Sequence, residues 1–142
     1  MHDNLLQAPN YKPRLSAGEH TKMCADKHQI VSIDINAQQE QLLTIASKAH
    51  ARRAGRTLYH GDGLRQTMVA LLSGAELAEH ESPLEAFLYV LKGRIIVHGH
   101  RRKWEISAGE QIPIPPERHS VTAVTDSVIT LTVLRDVSGL RS

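Results

Sequence analysis

Histidine is the most numerous candidate for metal binding or catalysis in this chain, which has nine histidines and one cysteine in 142 residues. His98 and His100 have the close spacing of two metal ligands, but they fall between two β-type runs. Turn residues in solvent are the better interpretation of that position. His2, His20 and His28 are spread too widely to form a metal motif by themselves. The chain contains no Ser-His-Asp order, phosphate-binding loop or CxxC pair.

The elements that must position these residues are mostly short strands. From residue 56 the apolar period is two, and each run ends in Gly, Asp, Ser or Pro, which predicts a β-sandwich or barrel. The predicted strands cover residues 57–60, 66–72, 85–91, 94–98, 103–106, 111–114, 119–124 and 128–134.

One helix precedes these strands. Residues 30–35 read IVSIDI and predict a short strand, after which Asn36 is placed to cap a helix with Gln39 as its capping-box partner. Apolar residues recur at helical spacing over residues 37–53, and Gly55 is placed to end the helix. We therefore expect an N-terminal extension over residues 1–29, a strand and helix over 30–55, and a barrel over 56–137.

Two spaced motifs lie within the predicted barrel. Gly74 is followed by five residues and His80, and Gly93 closes this first motif after the run LYVLK. In the second motif, five residues separate Gly109 from Pro115, and His119 follows. Both motifs resemble those of the cupin superfamily, although the second is one residue short before its histidine and has Glu117 in place of a glycine. The LRQT run over residues 64–67 resembles a strand of small single-domain bacterial cupins. The resemblance covers residues 56–135 and implies an all-β fold, a small jelly-roll barrel.

The resemblance also implies a partly equipped metal corner. In cupins that bind metal, two histidines and a glutamate of the first motif meet the histidine of the second. Here His80 and His119 occupy two of those positions, whereas Ser82 and Ala86 replace the other two ligands. Two imidazoles would hold a divalent transition metal (Zn, Ni, Mn or Fe) weakly. A third ligand could come from a nearby polar residue, for which the candidates are Glu79, Glu81, Gln66 and His60.

An alternative without metal is that His80 and His119 share a hydrogen bond or a water molecule. Strand alternation places Ala86 inside the barrel and Glu85 outside, so Glu85 cannot replace the missing ligand without a bulge. Small residues at 82 and 86 leave room beside the histidines, which predicts a ligand pocket formed by His80, Ser82, Ala86 and His119.

The residues of this predicted pocket are compatible with two functions. The first is a barrel that binds a small polar molecule without turnover, which the loss of two family ligands favours. The second is a metal-dependent enzyme, such as an oxygenase, isomerase or decarboxylase acting on a small molecule, which the two retained histidines keep open.

The composition of the chain argues against nucleic acid and membranes as binding partners. A net charge of +2 does not provide the basic surface that nucleic acid requires, and no apolar run approaches the ~20 residues of a membrane span. One cysteine excludes an intramolecular disulfide and fits the cytoplasm. Phe87, Tyr89 and Leu91 form an outward apolar face on the strand over residues 85–91, which either the N-terminal segment or a second subunit must cover. We expect a homodimer through sheet faces, and the alternative is that the helix over residues 37–53 covers this face within one chain.

Overall fold

The computed structural model describes residues 25–26, 30–80 and 85–135, and of residues 25–26 and 79–80 it describes the backbone alone. One helix and ten strands follow in chain order: β1 Ala25–Asp26, α1 Ile35–Lys48, β2 Arg53–His60, β3 Leu64–Leu71, β4 Glu76–His80, β5 Glu85–Lys92, β6 Arg94–His98, β7 Lys103–Ser107, β8 Gln111–Pro113, β9 His119–Ala123 and β10 Ser127–Leu134. The predicted all-β barrel with a single helix is confirmed for these residues.

The strands form two sheets that enclose a core between them. The six-stranded sheet has the order β1-β2-β3-β10-β5-β8, and the four-stranded sheet has the order β4-β9-β6-β7. Every pair is antiparallel except β1 with β2. The barrel core, which we define as the buried aliphatic cluster between the sheets, takes residues from both: Val69, Leu71, Ala75, Leu88, Val90, Ile95, Val97, Ile106, Val121, Ala123 and Ile129.

A second core lies between helix α1 and the outer face of the six-stranded sheet. Leu42 and Ala46 of the helix are buried there against strand residues. The strand side of this helix-side core consists of Leu58, Met68, Ala70, Leu72 and Val128. The helix therefore covers one end of the sheet, and the strands at that end are buried on both faces.

The helix begins and ends earlier than its sequence predicts. The N-cap is Asp34 rather than Asn36, because Asp34 Oδ1 accepts a 3.1 Å hydrogen bond from the Ala37 N–H. Residues 30–34 consequently form no strand, and the prediction of a strand over residues 30–35 is wrong. At the other end, Arg52 makes the turn at a φ of 58°, so Gly55 lies inside β2 instead of ending the helix.

The glycines of both motifs lie in tight turns between strands. Gly74, Gly93 and Gly109 all have φ between 85° and 88°, the left-handed region that disfavours other residues. Gly93 has a second constraint, since a Cβ there would overlap the Asp126 carbonyl oxygen and the Ser127 side chain. The motif spacing thus corresponds to real turns of the barrel.

Strand β5 alternates as its sequence predicts. Leu88 and Val90 are buried in the barrel core, while Phe87 on the opposite face is 41% exposed. The helix covers only part of that outer face, because Leu91 packs against the helix-side core and Phe87 does not. Among the residues that the structure describes, the Phe87 end of this face therefore stays exposed.

Candidate functional site

His119 is a buried imidazole at the start of β9. It is 2% exposed, and along the same strand Val121 and Ala123 are also buried, so all three residues face the barrel core. Its Nδ1 lies 2.9 Å from the carbonyl oxygen of Glu117. Because a carbonyl can only accept, this bond requires the proton on Nδ1, and the neutral ring then carries its lone pair on Nε2.

The backbone of His80 pairs with that of His119. The two residues are direct partners in the antiparallel ladder between β4 and β9, after a register irregularity between Leu77 and His80. The structure therefore brings the two predicted histidine positions together as neighbours in one sheet. The side chain of His80 lies outside the described residues, and so does the whole of Ser82.

The remaining predicted site residues offer few further ligands. Ala86 is half-buried on β5 and has no donor atom at the position of the family carboxylate. Gln66 lies two residues from Met68 on the same strand, so it shares the outer face of the sheet, where Met68 packs in the helix-side core. His60 is exposed. The side chains of Glu79 and Glu81 lie outside the described residues. Where side chains are described, no three His, Cys, Asp or Glu residues form a group suited to a metal ion.

The pair His98 and His100 does not belong to this site. The neighbouring residue Val97 is buried in the barrel core, so alternation places His98 on the outer face of the four-stranded sheet. There its Nε2 lies 3.1 Å from Thr122 Oγ1. His100 is exposed in the turn after β6, as predicted, whereas His98 is the half-buried last residue of β6, so the prediction of a turn residue in solvent is wrong for His98.

A charged cluster, which we call the Glu117 clamp, joins this turn to the segment before His119. Glu117 Oε2 accepts a 2.6 Å hydrogen bond from the His100 N–H, and Oε1 lies 2.8 Å from Arg102 Nη2. Arg102 also stacks over Trp104, with its Cζ 4.9 Å from the ring centroid. The bond from Arg102 and then that from His100 lower the pKa of Glu117, and Glu117 raises the pKa of Arg102.

Sequence reasoning missed the group that orients His119. It is the main-chain oxygen of Glu117, and a carbonyl has no signature in the residue type. The carboxylate of Glu117 did carry a signal, since it stands where the second cupin motif has a glycine. That departure marked the residue without indicating its partners.

Comparison with known proteins identifies the fold. No family model matches the chain, and no curated protein matches it in sequence. A conserved protein of unknown function from Streptococcus pyogenes is 25% identical, with a TM-score of 0.55 over 61% of this chain and 77% of that one. A cupin-2 domain protein from Shewanella frigidimarina is 18% identical, with a TM-score of 0.58 over 72% and 94% of the two chains. KdgF from a Halomonas species is 20% identical, with a TM-score of 0.54 over 62% and 83%.

The chain therefore has the fold of the cupin superfamily, as its two motifs predict. Within this fold, the motif glycines make three of the turns and His119 stands at the start of β9. Within the described part of the chain, the single helix is too short and too polar to cross a membrane.

Proposed function

We propose that this chain is a cupin-type barrel that binds a small polar molecule at the His119 end of the barrel. The observation that carries the proposal is the buried imidazole of His119, which faces an otherwise aliphatic core and donates from Nδ1 to a backbone carbonyl. A polar ring buried among aliphatic residues is costly unless its hydrogen bonds are made. The bond from Nδ1 fixes the plane of the ring, and a fixed orientation is what a binding site requires of its polar side chains.

The chemistry of that nitrogen defines the class of ligand. In the neutral ring Nε2 is a hydrogen-bond acceptor or a metal ligand, and in the protonated ring it is a donor to an anion. Val121 follows His119 by two residues on β9, and its strand partner is Leu77 of β4. Both side chains pack in the barrel core. A small polar or anionic molecule with one apolar side fits this combination.

A divalent transition metal (Zn, Ni, Mn or Fe) could occupy the same position. We propose that His119 and His80 would hold it, because their backbones are strand partners and the Nδ1 bond of His119 provides the outer support that metal-bound imidazoles need. Ala86 adds no ligand, so such a metal would be held weakly. The same replacement favours binding over the alternative of a metal-dependent oxygenase, isomerase or decarboxylase.

The test is the change in melting temperature on adding ZnCl₂, sodium oxalate or inorganic phosphate to the full chain. The key variant is His119→Asn, whose amide N–H₂ can still donate to the Glu117 carbonyl while Nε2 is lost. His98→Ala is the matched control, because it removes a half-buried imidazole from the opposite face of the same sheet. A probe at 100 times its Kd should stabilise the wild type and the control by about 2.7 kcal/mol. His119→Asn should lose this stabilisation, and an equal shift in all three proteins with every probe would refute the proposal.

We also propose that the chain forms a homodimer through the part of the six-stranded sheet around Phe87, which helix α1 does not cover. That face holds a groove of about 370 Å³ with three exposed apolar side chains, Leu64, Phe87 and Leu134. Glu85 is the one charged residue among those that line it. The outer face of the other sheet is instead charged, with an ion pair between Arg94 and Glu105.

The nearly neutral character of this face favours a second copy as its partner. In a two-fold dimer the same patch meets itself, so a patch with many charges of the same sign would repel its own copy, which a patch with a single carboxylate does not do strongly. Leu64 and Leu134 are direct strand partners at one end of the groove, and Phe87 pairs with Pro113 at its edge. A groove with three exposed apolar side chains and one carboxylate is therefore suited to self-association.

A further inference from the structure

We propose that Glu117 is a positioning residue that sets the orientation of His119, an inference that rests on the proposed role of His119 in binding. Glu117 is engaged at both ends. Its carboxylate binds the turn between β6 and β7, and its carbonyl accepts the Nδ1 proton of His119. The contacts that fix the Glu117 carboxylate therefore also fix the position of its carbonyl oxygen, which orients the His119 imidazole.

The segment before His119 needs such an anchor because of its sequence. Pro115 and Pro116 have no N–H group, so they cannot donate to a strand ladder. Before them, the Ile114 N–H bonds the Ala86 carbonyl at 2.9 Å, and the next regular ladder begins with His119 in β9. Glu117 lies in the irregular stretch between these points, where a side-chain bond can fix the chain.

The receiving turn is shaped to accept the carboxylate. Gly99 is half-buried, and a Cβ there would overlap Glu117 Oε2 and come within 3.1 Å of the Trp104 ring. The turn is closed by a 2.8 Å bond from the Gly99 N–H to the Arg102 carbonyl, which presents the His100 N–H and the Arg102 guanidinium to Glu117. Two charge-assisted bonds to one carboxylate define its direction better than a single contact.

Trp104 connects the clamp to the barrel core. Its ring packs against that core, and its backbone pairs with that of buried Val97. The same ring lies under the Arg102 guanidinium. As the only tryptophan of the chain, Trp104 reports through its fluorescence whether the clamp is closed.

The experiment compares Glu117→Ala and Glu117→Gln with the wild type in the full chain. Glu105→Ala is the matched control, since it breaks another exposed carboxylate–arginine pair, that with Arg94. Long-range ¹H–¹⁵N correlation spectra give the tautomer of the His119 ring, and calorimetric titration with ZnCl₂ gives the affinity. Circular dichroism confirms that each variant is folded.

We expect the wild type and Glu105→Ala to carry the His119 proton on Nδ1. Glu117→Ala should shift Trp104 emission, mix the two ring tautomers and weaken Zn²⁺ binding about 10- to 100-fold, the range for losing an outer-shell partner. Glu117→Gln retains a carbonyl oxygen for the turn and should keep most of the Nδ1–H signal.

An unchanged His119 tautomer in Glu117→Ala would overturn the inference, whether or not Trp104 emission shifts. If the tautomer changes but Zn²⁺, oxalate and phosphate all bind equally to wild type and His119→Asn, the positioning role stands and the proposed binding function fails. The two ideas can therefore fail separately.

Discussion

Gly93 should be the least replaceable of the three motif glycines. In Gly93→Ala the new methyl group would meet the Asp126 carbonyl and Ser127. Ser127 is fully buried, and its Oγ accepts from the Arg94 N–H at 3.0 Å and lies 2.7 Å from the Thr125 carbonyl. It cannot move aside without breaking these bonds. Gly109 has nearly the same φ, but a Cβ there would have no neighbour within 4 Å.

The magnitude follows from this difference. An alanine at a left-handed φ costs about 1–2 kcal/mol, and the reduced freedom of the unfolded chain offsets about 0.4–1 kcal/mol of that. Gly109→Ala should therefore destabilise by about 1 kcal/mol. Gly93→Ala carries the same cost and in addition about 1–3 kcal/mol for forcing a methyl group into occupied space. We expect the two variants to differ by about 2 kcal/mol.

Urea unfolding followed by far-ultraviolet circular dichroism measures the difference directly. With m-values of about 1–3 kcal/mol/M, a gap of this size separates the midpoints by about 1 M. Equal midpoints for Gly93→Ala and Gly109→Ala would show that the space at Gly93 is not restrictive. Unequal m-values would instead show that the unfolded or native ensemble has changed.

Three further outcomes are expected. Phe87→Glu should convert a dimer to a monomer in light scattering at micromolar concentration, whereas Ile45→Glu, at a 46% exposed helix position, should not; a monomeric wild type would refute the dimer. Leu42→Ala should destabilise by about 2–5 kcal/mol in urea because Leu42 is 1% exposed in the helix-side core, and a loss below about 1 kcal/mol would show that the helix is loosely packed. Because Arg102 lowers the pKa of Glu117, the stability that their pair contributes is present above the ordinary carboxylate pKa and is lost as pH falls through the lowered pKa. Glu117→Gln should therefore make the urea midpoint depend less on pH in that acid range. Parallel plots of midpoint against pH for the wild type and Glu117→Gln would contradict this.

Most of the barrel could be predicted from sequence because its strands alternate and its turns carry glycine. Strand β4 could not, since Glu76 and Ala78 are poor strand formers and Leu77 is its one large apolar side chain. The ladder with β9 imposes the extended backbone there. The start of the helix was mistaken because a β-branched run preceded it, while the cap at Asp34 and the packing of Ile33 and Ile35 decided the local structure.

The site was less predictable than the fold. The positions of His80 and His119 came from motif spacing, and the structure pairs their backbones. The geometry that orients His119 depends on a main-chain oxygen and on a carboxylate that reaches a turn 15 residues earlier, at Arg102. Contacts of this kind arise from how two loops pack, which residue types alone do not encode.

The central place of β10 has a consequence for how the chain is made. This strand is the last of those described, yet it lies between β3 and β5 in the six-stranded sheet. Val128 completes the helix-side core, and Ile129 completes the barrel core. On the ribosome, the nascent chain therefore holds β3 and β5 with open edges until residues 127–134 have emerged. A polypeptide that stalls before that point exposes two strand edges at once, and unpaired edges of this kind are prone to aggregate and to need a chaperone.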